Sequence, residues 1–243
     1  MVLAYDGTSF HGWQRQPRRR TVQGVLEEQL STVLGEAVTV AGAGRTDTGC
    51  HARGQVASFT TGSSLPAHAL APALNRRLPG DLKVRSAAEV DPGFHARRSA
   101  VARRYVYRLL REEDLLFARI AWYPRRPIDA TGLRRATAPL TGTLDCAAFQ
   151  SSGSTVVATE CTITRAAWRD WEGGLAFEIV ANHFLYHMVR SIVGTALELQ
   201  SEPDPGAALS ACLASGDRRH AGPTAPAHGL CLEEVTYPQE TGA

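Results

Sequence analysis

The sequence predicts an α/β (α+β) protein built from two ferredoxin-like, RNP-like sandwich lobes, and two observations indicate this. The apolar patterns of the first half run strand, helix, strand, strand, helix, strand, which is the order of a ferredoxin-like sandwich. The second half gives strand, helix, hairpin, helix and strand. Two similar halves would let two antiparallel sheets meet edge to edge with a central cleft between them, the expected place for a functional site.

The elements of the first lobe follow from periodicity and from turn residues. Thr21 caps a helix whose apolar residues repeat at helical spacing until Gly35 ends it. A second helix is predicted over 66–78, closed by Pro79 and Gly80. The predicted strands are 2–5, 37–41, 55–59 and 82–90.

Residues 91–99 look like a junction, so we predict an N-terminal lobe over 1–98 and a C-terminal lobe over 99–243. The second lobe has a clear hairpin, 161–171 and 175–182, joined at Glu172 and two glycines. Residues 115–127 give no regular pattern, and 142–159 read as a Gly/Ser/Thr-rich loop. The other predicted elements are strand 101–110, helices 131–140, 183–200 and 205–215, and strand 230–237.

Composition indicates an ordinary globular protein. Of 243 residues, 44% are hydrophobic and the formal net charge is +2. The five cysteines include no CxxC pair, which suits a reducing compartment. With no signal peptide at the N-terminus and no apolar run of membrane length, we expect a cytoplasmic protein without a membrane partner.

The loop at 41–54 is the strongest candidate for chemistry. It lies between two predicted strands and holds four glycines together with Arg45, Asp47, His51 and Arg53. A polar loop fixed between strands is a natural place for a catalytic side chain. An equally open interpretation is a hairpin turn in which Asp47 serves only as an Asx cap.

Arg190 is the most informative residue outside that loop. It lies among Met188, Val189 and Ile192 in the apolar helix predicted over 183–200. A guanidinium buried there needs an anionic partner, and Asp47 is the best candidate; such pairing would keep Asp47 ionised and oriented. The alternatives are an arginine that reaches the surface and a purely structural ion pair.

Several features suit an RNA partner. Lys83 is the sole lysine, the other cations are clustered arginines, and the loop at 8–20 mixes aromatics with arginines. Tyr105 and Tyr107 share a strand face beside arginines, as a base-stacking platform would. Each of these features has an alternative explanation. Arginine richness equally fits a GC-rich genome or a hot habitat. Trp13 could be buried in the core, and aromatic residues on strands more often belong to cores.

Metal and nucleotide motifs are weak. His183 and His187 are spaced i, i+4 on the predicted helix, but no acid is near and no HExxH pattern exists. Gly42 and Gly44 lack the third glycine of a dinucleotide fingerprint, and no Walker lysine follows. We expect no metal and no cofactor.

Several motifs together resemble the tRNA pseudouridine synthase A family. They occur in order along the chain as YDGTSFHGWQ (5–14), GRTDTGCHA (44–52), FHAR (94–97), RYVY (104–107), NHFLYHMVR (182–190) and TAPAHGL (224–230). The resemblance departs at Cys50, where the family usually has valine, and at 144–149, a less aromatic segment followed by a short loop.

The resemblance implies conversion of uridine to pseudouridine in the anticodon stem-loop of tRNA, around positions 38–40, by a homodimer without cofactor or metal. It makes Asp47 the catalytic aspartate, Arg190 its partner, Tyr105 the residue that stacks on uracil, and Arg45 the residue that helps extrude the nucleotide. Further tRNA contacts are expected at Gln14, Phe94, His95, Ala96, Arg97, Arg98 and Arg218.

The residue types suit this chemistry, since breaking C1′–N1 and rejoining at C5 needs an oriented carboxylate and a pocket for the detached base. Asp47 could attack C1′, attack C6 or take a sugar proton. Two other classes compete: a non-catalytic RNA clamp, for which Asp47→Ala would change nothing, and a magnesium-dependent hydrolase of small phosphorylated substrates.

Overall fold

A computed structural model describes residues 1–153 and 158–238. By its internal contacts the chain divides into two compact units, Met1–Val101 with the segment from Cys231, and Ala102–Leu230. The final strand is thus grouped with the first unit. The predicted boundary between residues 98 and 99, and the cleft between the lobes, stay predictions.

The described residues form five helices and nine strands. The helices are α1 Val22–Leu34, α2 Ala67–Asn75, α3 Ala130–Thr137, α4 Met188–Leu199 and α5 Pro205–Ser215. The strands are β1 Val2–Tyr5, β2 Ala41–Gly42, β3 His51–Ser58, β4 Leu82–Ser86, β5 Ala102–Leu110, β6 Gly142–Asp145, β7 Glu160–Trp171, β8 Gly174–Ala181 and β9 Leu230–Thr236.

The first unit has the predicted β-α-β-β-α-β order, with β1 between β4 and β3. All its strand pairs are antiparallel except β3 with β9, in which His51 lies opposite Cys231. Helix α1 begins where the Thr21 hydroxyl accepts the amide of Gly24 and ends at Gly35 in the left-handed conformation. Its residues Val22, Leu26 and Leu30 are fully buried.

The second unit is an antiparallel sheet in the order β5-β8-β7-β6, with α3, α4 and α5 packed on one another. The β7–β8 hairpin confirms the predicted turn at 172–174. Both faces of β5 are buried, because the consecutive residues Val106 and Tyr107, which point to opposite faces, are 1% and 0% exposed. Together the two units confirm the α/β fold class.

Some element boundaries were predicted wrongly. The predicted strand 37–41 survives only as β2, because the amides of Val38 and Val40 bond to side chains of α1 instead of a neighbouring strand. Strand β4 ends at Ser86 rather than at residue 90. In the predicted loop 142–159, residues 142–145 form β6 on β7, and residues 154–157 lie outside the described part.

The helix predicted from residue 183 begins five residues later, at Met188. His187 precedes it with φ 63°, and this left-handed conformation interrupts the helical path. His183 and His187 therefore do not share a helix face, which removes the geometric basis of the i, i+4 metal interpretation. Within residues 1–153 and 158–238, no group of three metal-binding side chains is close enough to hold an ion. Nor does any helix in those ranges have the length and apolarity to cross a membrane.

Candidate active site

The loop that carries Asp47 joins β2 to β3 in the first unit. The amide of Ala43 bonds to Val56 O at 2.8 Å, and the amide of Cys50 bonds back to Asp47 O at 3.1 Å. Asp47 is half-buried and Arg45 is exposed. Cys50 is 2% exposed, so this substitute for valine occupies a buried apolar position. The backbone on both sides of Asp47 is therefore held in place.

A buried polar network fixes the residue just before Asp47. The hydroxyls of Tyr5 and Thr46 are hydrogen-bonded at 2.8 Å, and Gln55 Nε2 donates to Gly44 O at 2.7 Å. Burial raises the pKa of Tyr5, so its phenol stays neutral. Because both partners are buried, replacing either would leave a polar atom unsatisfied. This network therefore fixes the position of residues 44–46, which lead into the Asp47 turn.

The N-terminal segment 6–14 wraps around the same loop. The amide of Trp13 bonds to Thr46 O at 3.0 Å, and the amide of Gly49 bonds to Phe10 O at 3.3 Å. A third contact joins the amide of Gly7 to His51 Nδ1 at 3.0 Å. The two motifs of the family resemblance in the first 60 residues are thus parts of one structure.

Two glycines are required for this wrapping. A Cβ added to Gly7 would lie 1.9 Å from Cys50 O, and one added to Gly12 would lie 2.7 Å from Thr46 O. Gly12 also has φ +78°, a conformation that other L-residues rarely adopt. Trp13 is 2% exposed, which confirms the core interpretation of that ring.

Gln14, an expected tRNA contact, bonds within the protein. Its Nε2 donates to Gln23 Oε1 at 2.7 Å, and Gln23 in turn donates to Glu27 Oε1 at 2.9 Å. Glu27 also accepts the amide of Val40 at 3.0 Å, so one chain of hydrogen bonds joins segment 6–14, helix α1 and the approach to β2. Gln14 has a structural role here, and a tRNA contact by it stays a prediction.

The segment from Phe94 to Arg98 forms a compact turn. His95 Nδ1 accepts the amide of Arg97 at 3.1 Å, and the buried Ala96 accepts the hydroxyl of Tyr237 at 2.7 Å. The rings of Phe94 and Tyr237 pack with centroids 4.9 Å apart. Arg97 and Arg98 are exposed. Phe94, His95 and Ala96 therefore build the turn, which displays two arginines.

Tyr105 lies on β5 in the second unit, opposite Ile179 of β8. It is 7% exposed, and its ring meets Phe184 edge-on with centroids 5.0 Å apart. Tyr107, two residues on, is fully buried and donates its hydroxyl to Pro226 O at 2.8 Å. Tyr107 is thus a core residue, whereas Tyr105 is packed against a residue just before α4.

Arg190 lies in the first turns of α4 and is tied to the loop before β9. Its Nε donates to Ala225 O at 2.7 Å, and the amide of Ala225 donates to Arg190 O at 3.1 Å. Arg218 is tied to the same loop, donating to Ala221 O at 3.1 Å and to Thr224 Oγ1 at 3.0 Å. The second unit thus brings Arg190 and Arg218 onto one loop. Pairing of Arg190 with Asp47 stays a prediction.

Sequence reasoning missed the polar support of the Asp47 loop. Its signal was Gln55, an amide placed among the apolar residues of a strand, where an uncompensated polar group would be costly. Its partner Tyr5 is 50 residues away in the chain, so only the folded sheet brings the two together.

Comparison with known proteins gives the class of the molecule. The family model of tRNA pseudouridine synthase matches residues 1–97 and 136–238. A protein named tRNA pseudouridine synthase A from Geobacillus kaustophilus is 44% identical to this chain, over 98% of this chain and 94% of its own length. A protein of the same name from Moorella thermoacetica is 42% identical, over 98% of both chains. One from Halalkalibacterium halodurans is 43% identical over 95% of this chain and 89% of its own.

These matches establish the enzyme class as isomerase. The chain belongs to the tRNA pseudouridine synthase family.

Proposed function

We propose that this protein isomerises uridine to pseudouridine in the anticodon stem-loop of tRNA, around positions 38–40, with Asp47 as the catalytic carboxylate. One observation carries the proposal: the half-buried Asp47 lies in a loop whose backbone is clamped by segment 6–14 and by the Tyr5–Thr46 hydrogen bond. Membership of the family, over nearly the whole chain, supplies the reaction class.

The reaction itself explains why a fixed carboxylate suffices. The C1′–N1 bond breaks, the uracil turns, a C5–C1′ bond forms, C5 loses its proton and N1 gains one. All bonding electrons stay within the nucleotide, so the step consumes no co-reactant. Asp47 attacks C1′ or C6, or takes a sugar proton. In each case the rate enhancement depends on how the carboxylate is oriented toward the sugar or the ring.

The other proposed residues act on the base and on the RNA backbone. Arg45, exposed next to the Asp47 turn, helps extrude the target nucleotide, and Tyr105 stacks on the uracil while it turns. The exposed Arg97 and Arg98 contact phosphates, a role that suits the guanidinium fork. We further propose that the protein acts as a homodimer in the cytoplasm, on tRNA.

Mapping of the modified positions tests the substrate assignment. We expect pseudouridine at 38, 39 or 40 when transcripts of tRNA with uridine at those positions are incubated with the protein and mapped by carbodiimide modification and primer extension. A transcript with cytidine at all three positions serves as the control and should stay unmodified. Pseudouridine confined to the T loop or the D loop would overturn the anticodon assignment.

Arg190→Ala should lower kcat by about a hundredfold with little change in KM, because it would lose the orientation of Asp47 rather than a contact with RNA. Adding Asp47→Ala to this variant should cost little beyond Asp47→Ala alone, since both act on one function. Single-turnover rates of the single and double variants measure this. Arg218→Ala, on the same loop, is the control and should act on KM; additive losses for Arg190 and Asp47 would contradict the coupling.

A further inference from the structure

Tyr186 is an unusual aromatic residue in this fold. It lies between β8 and α4, and its 45% exposure makes it the one exposed Phe, Tyr or Trp side chain among residues 1–153 and 158–238. Its neighbours Leu185 and Met188 are buried at 5% and 1% exposure. The segment therefore anchors itself in the core on both sides of a tyrosine that it presents outward.

The exposed ring is supported on one face by a neighbouring ring, and its backbone is held by a hydrogen bond. It stacks on the imidazole of His187, with centroids 3.7 Å apart and planes 28° apart. His187 Nδ1 lies 3.0 Å from Ser151 Oγ, and the amide of Ser151 donates to Tyr186 O at 3.1 Å. Ser151 thus fixes both the ring beneath Tyr186 and the backbone of Tyr186 itself.

The backbone at this point is strained. His187 has φ +63°, a conformation that non-glycine residues adopt rarely and that persists where the surroundings impose it. This left-handed residue starts α4 at Met188 and keeps Tyr186 out of the helix. A side chain that only faces solvent does not need a strained backbone to position it. A ring that stacks on a flat ligand binds more tightly when it is ordered beforehand, because less conformational entropy is lost on binding.

The position of Tyr186 relates it to the proposed site within the same unit. Phe184, two residues earlier, packs edge-on against Tyr105, and Arg190 follows four residues later on α4. Two residues of extended chain reach at most about 7 Å between their Cα atoms, so the backbone of Tyr186 lies close to that of Phe184, the residue whose ring contacts Tyr105.

We propose that the outer face of Tyr186 stacks on an unpaired base of the RNA beside the reacting uridine; this rests on the function proposed above. Extruding one nucleotide deprives its neighbour of a stacking partner, and an aromatic side chain can replace it. Such stacking tolerates any base, because every base offers a π face. Tyr186 is then a binding residue that compensates for base flipping, with no part in bond making.

The test compares Tyr186→Ala, Tyr186→Leu and Tyr186→Phe with wild type in binding of a fluorescein-labelled anticodon stem-loop, and in tritium release from the same stem-loop labelled at uridine C5. We expect Ala and Leu to weaken binding about five- to 150-fold, the range for one base–aromatic stack, and Phe to stay within threefold of wild type. Tyr123→Ala, a half-buried tyrosine of the same unit, is the control and should bind as wild type.

Three outcomes would overturn the inference while wild type still releases tritium. Wild-type affinity of Tyr186→Ala would show that no base rests on the ring. A loss by Phe as large as that by Ala would indicate a hydroxyl contact instead of stacking. Wild-type affinity of Tyr186→Leu would show that any apolar side chain suffices and that no aromatic stacking is involved. Absence of tritium release by wild type would instead count against the proposed function, while the binding series would still test the stack.

Discussion

Asp47→Asn should lower the rate of pseudouridine formation by about a thousandfold or more while tRNA affinity stays within threefold of wild type. Asparagine keeps the size and the turn geometry of the aspartate but cannot act as nucleophile or base. The supporting contacts at Thr46 and Cys50 use backbone and hydroxyl atoms, so the loop should keep its shape. Single-turnover kinetics and filter binding measure the two quantities.

Asp170→Asn is the matched control, because this carboxylate is 75% exposed in its side chain and pairs only at 3.4 and 3.6 Å with surface arginines. Surface pairs of this kind contribute little, so both rate and affinity should match wild type. An Asp47→Asn protein that modifies tRNA at more than a tenth of the wild-type rate would exclude Asp47 as the catalytic carboxylate.

Gly7→Ala should destabilise the first unit by about 2–4 kcal/mol and lower activity by about a hundredfold even well below the melting temperature. The added Cβ would lie 1.9 Å from Cys50 O, and since the obstacle is backbone, the loop must move. Cys50 is three residues after Asp47 and bonded to it through the backbone, so the displacement reaches the carboxylate. Urea denaturation and single-turnover kinetics on the same preparation separate the two effects.

Gly80→Ala provides the comparison for Gly7→Ala. No heavy atom lies within 4 Å of a Cβ added at Gly80, so the free energy of unfolding should change by less than about half a kcal/mol. Wild-type activity and stability in Gly7→Ala would mean that segment 6–14 does not determine the position of the Asp47 loop.

Local signals predicted several elements well. Helix α5 begins and ends where the sequence placed it, because Asp204 and Pro205 start it and Gly216 follows its end. Helix α1 likewise begins after Thr21 and ends at Gly35. The β7–β8 hairpin follows from alternation around a double glycine. In each case the deciding residues are neighbours in the chain.

The errors arise where distant contacts decide. The apolar spacing of Phe184, Leu185 and Met188 fits a helix, but Phe184 packs on Tyr105, and His187 turns the chain into the left-handed region. Strand β6 was hidden in a Gly/Ser/Thr-rich segment, because its order comes from pairing with β7. The hydrogen bond from the Gln14 amide to Gln23 on α1 was not foreseen, while the RNA contact of Gln14 stays a prediction.

At the candidate site, the constrained backbone of the Asp47 loop was predictable, whereas the roles of the residues stay proposals. Glycines around Asp47 indicated a constrained loop, and the family resemblance supplied the roles proposed for Arg45, Tyr105 and Arg190. The support of that loop by Tyr5 and the anchoring of Tyr186 through Ser151 depend on contacts between residues far apart in the chain.

The most direct test of the central claim is tritium release from tRNA labelled at C5 of uridine, with wild type and Asp47→Ala compared in the presence of EDTA. Pseudouridine formation replaces the C5 proton, so each turnover frees one label. We expect wild type to release tritium at the same rate with and without EDTA, and Asp47→Ala to release none. Tight binding of tRNA by wild type without any release would contradict the enzymatic claim and favour a non-catalytic RNA clamp.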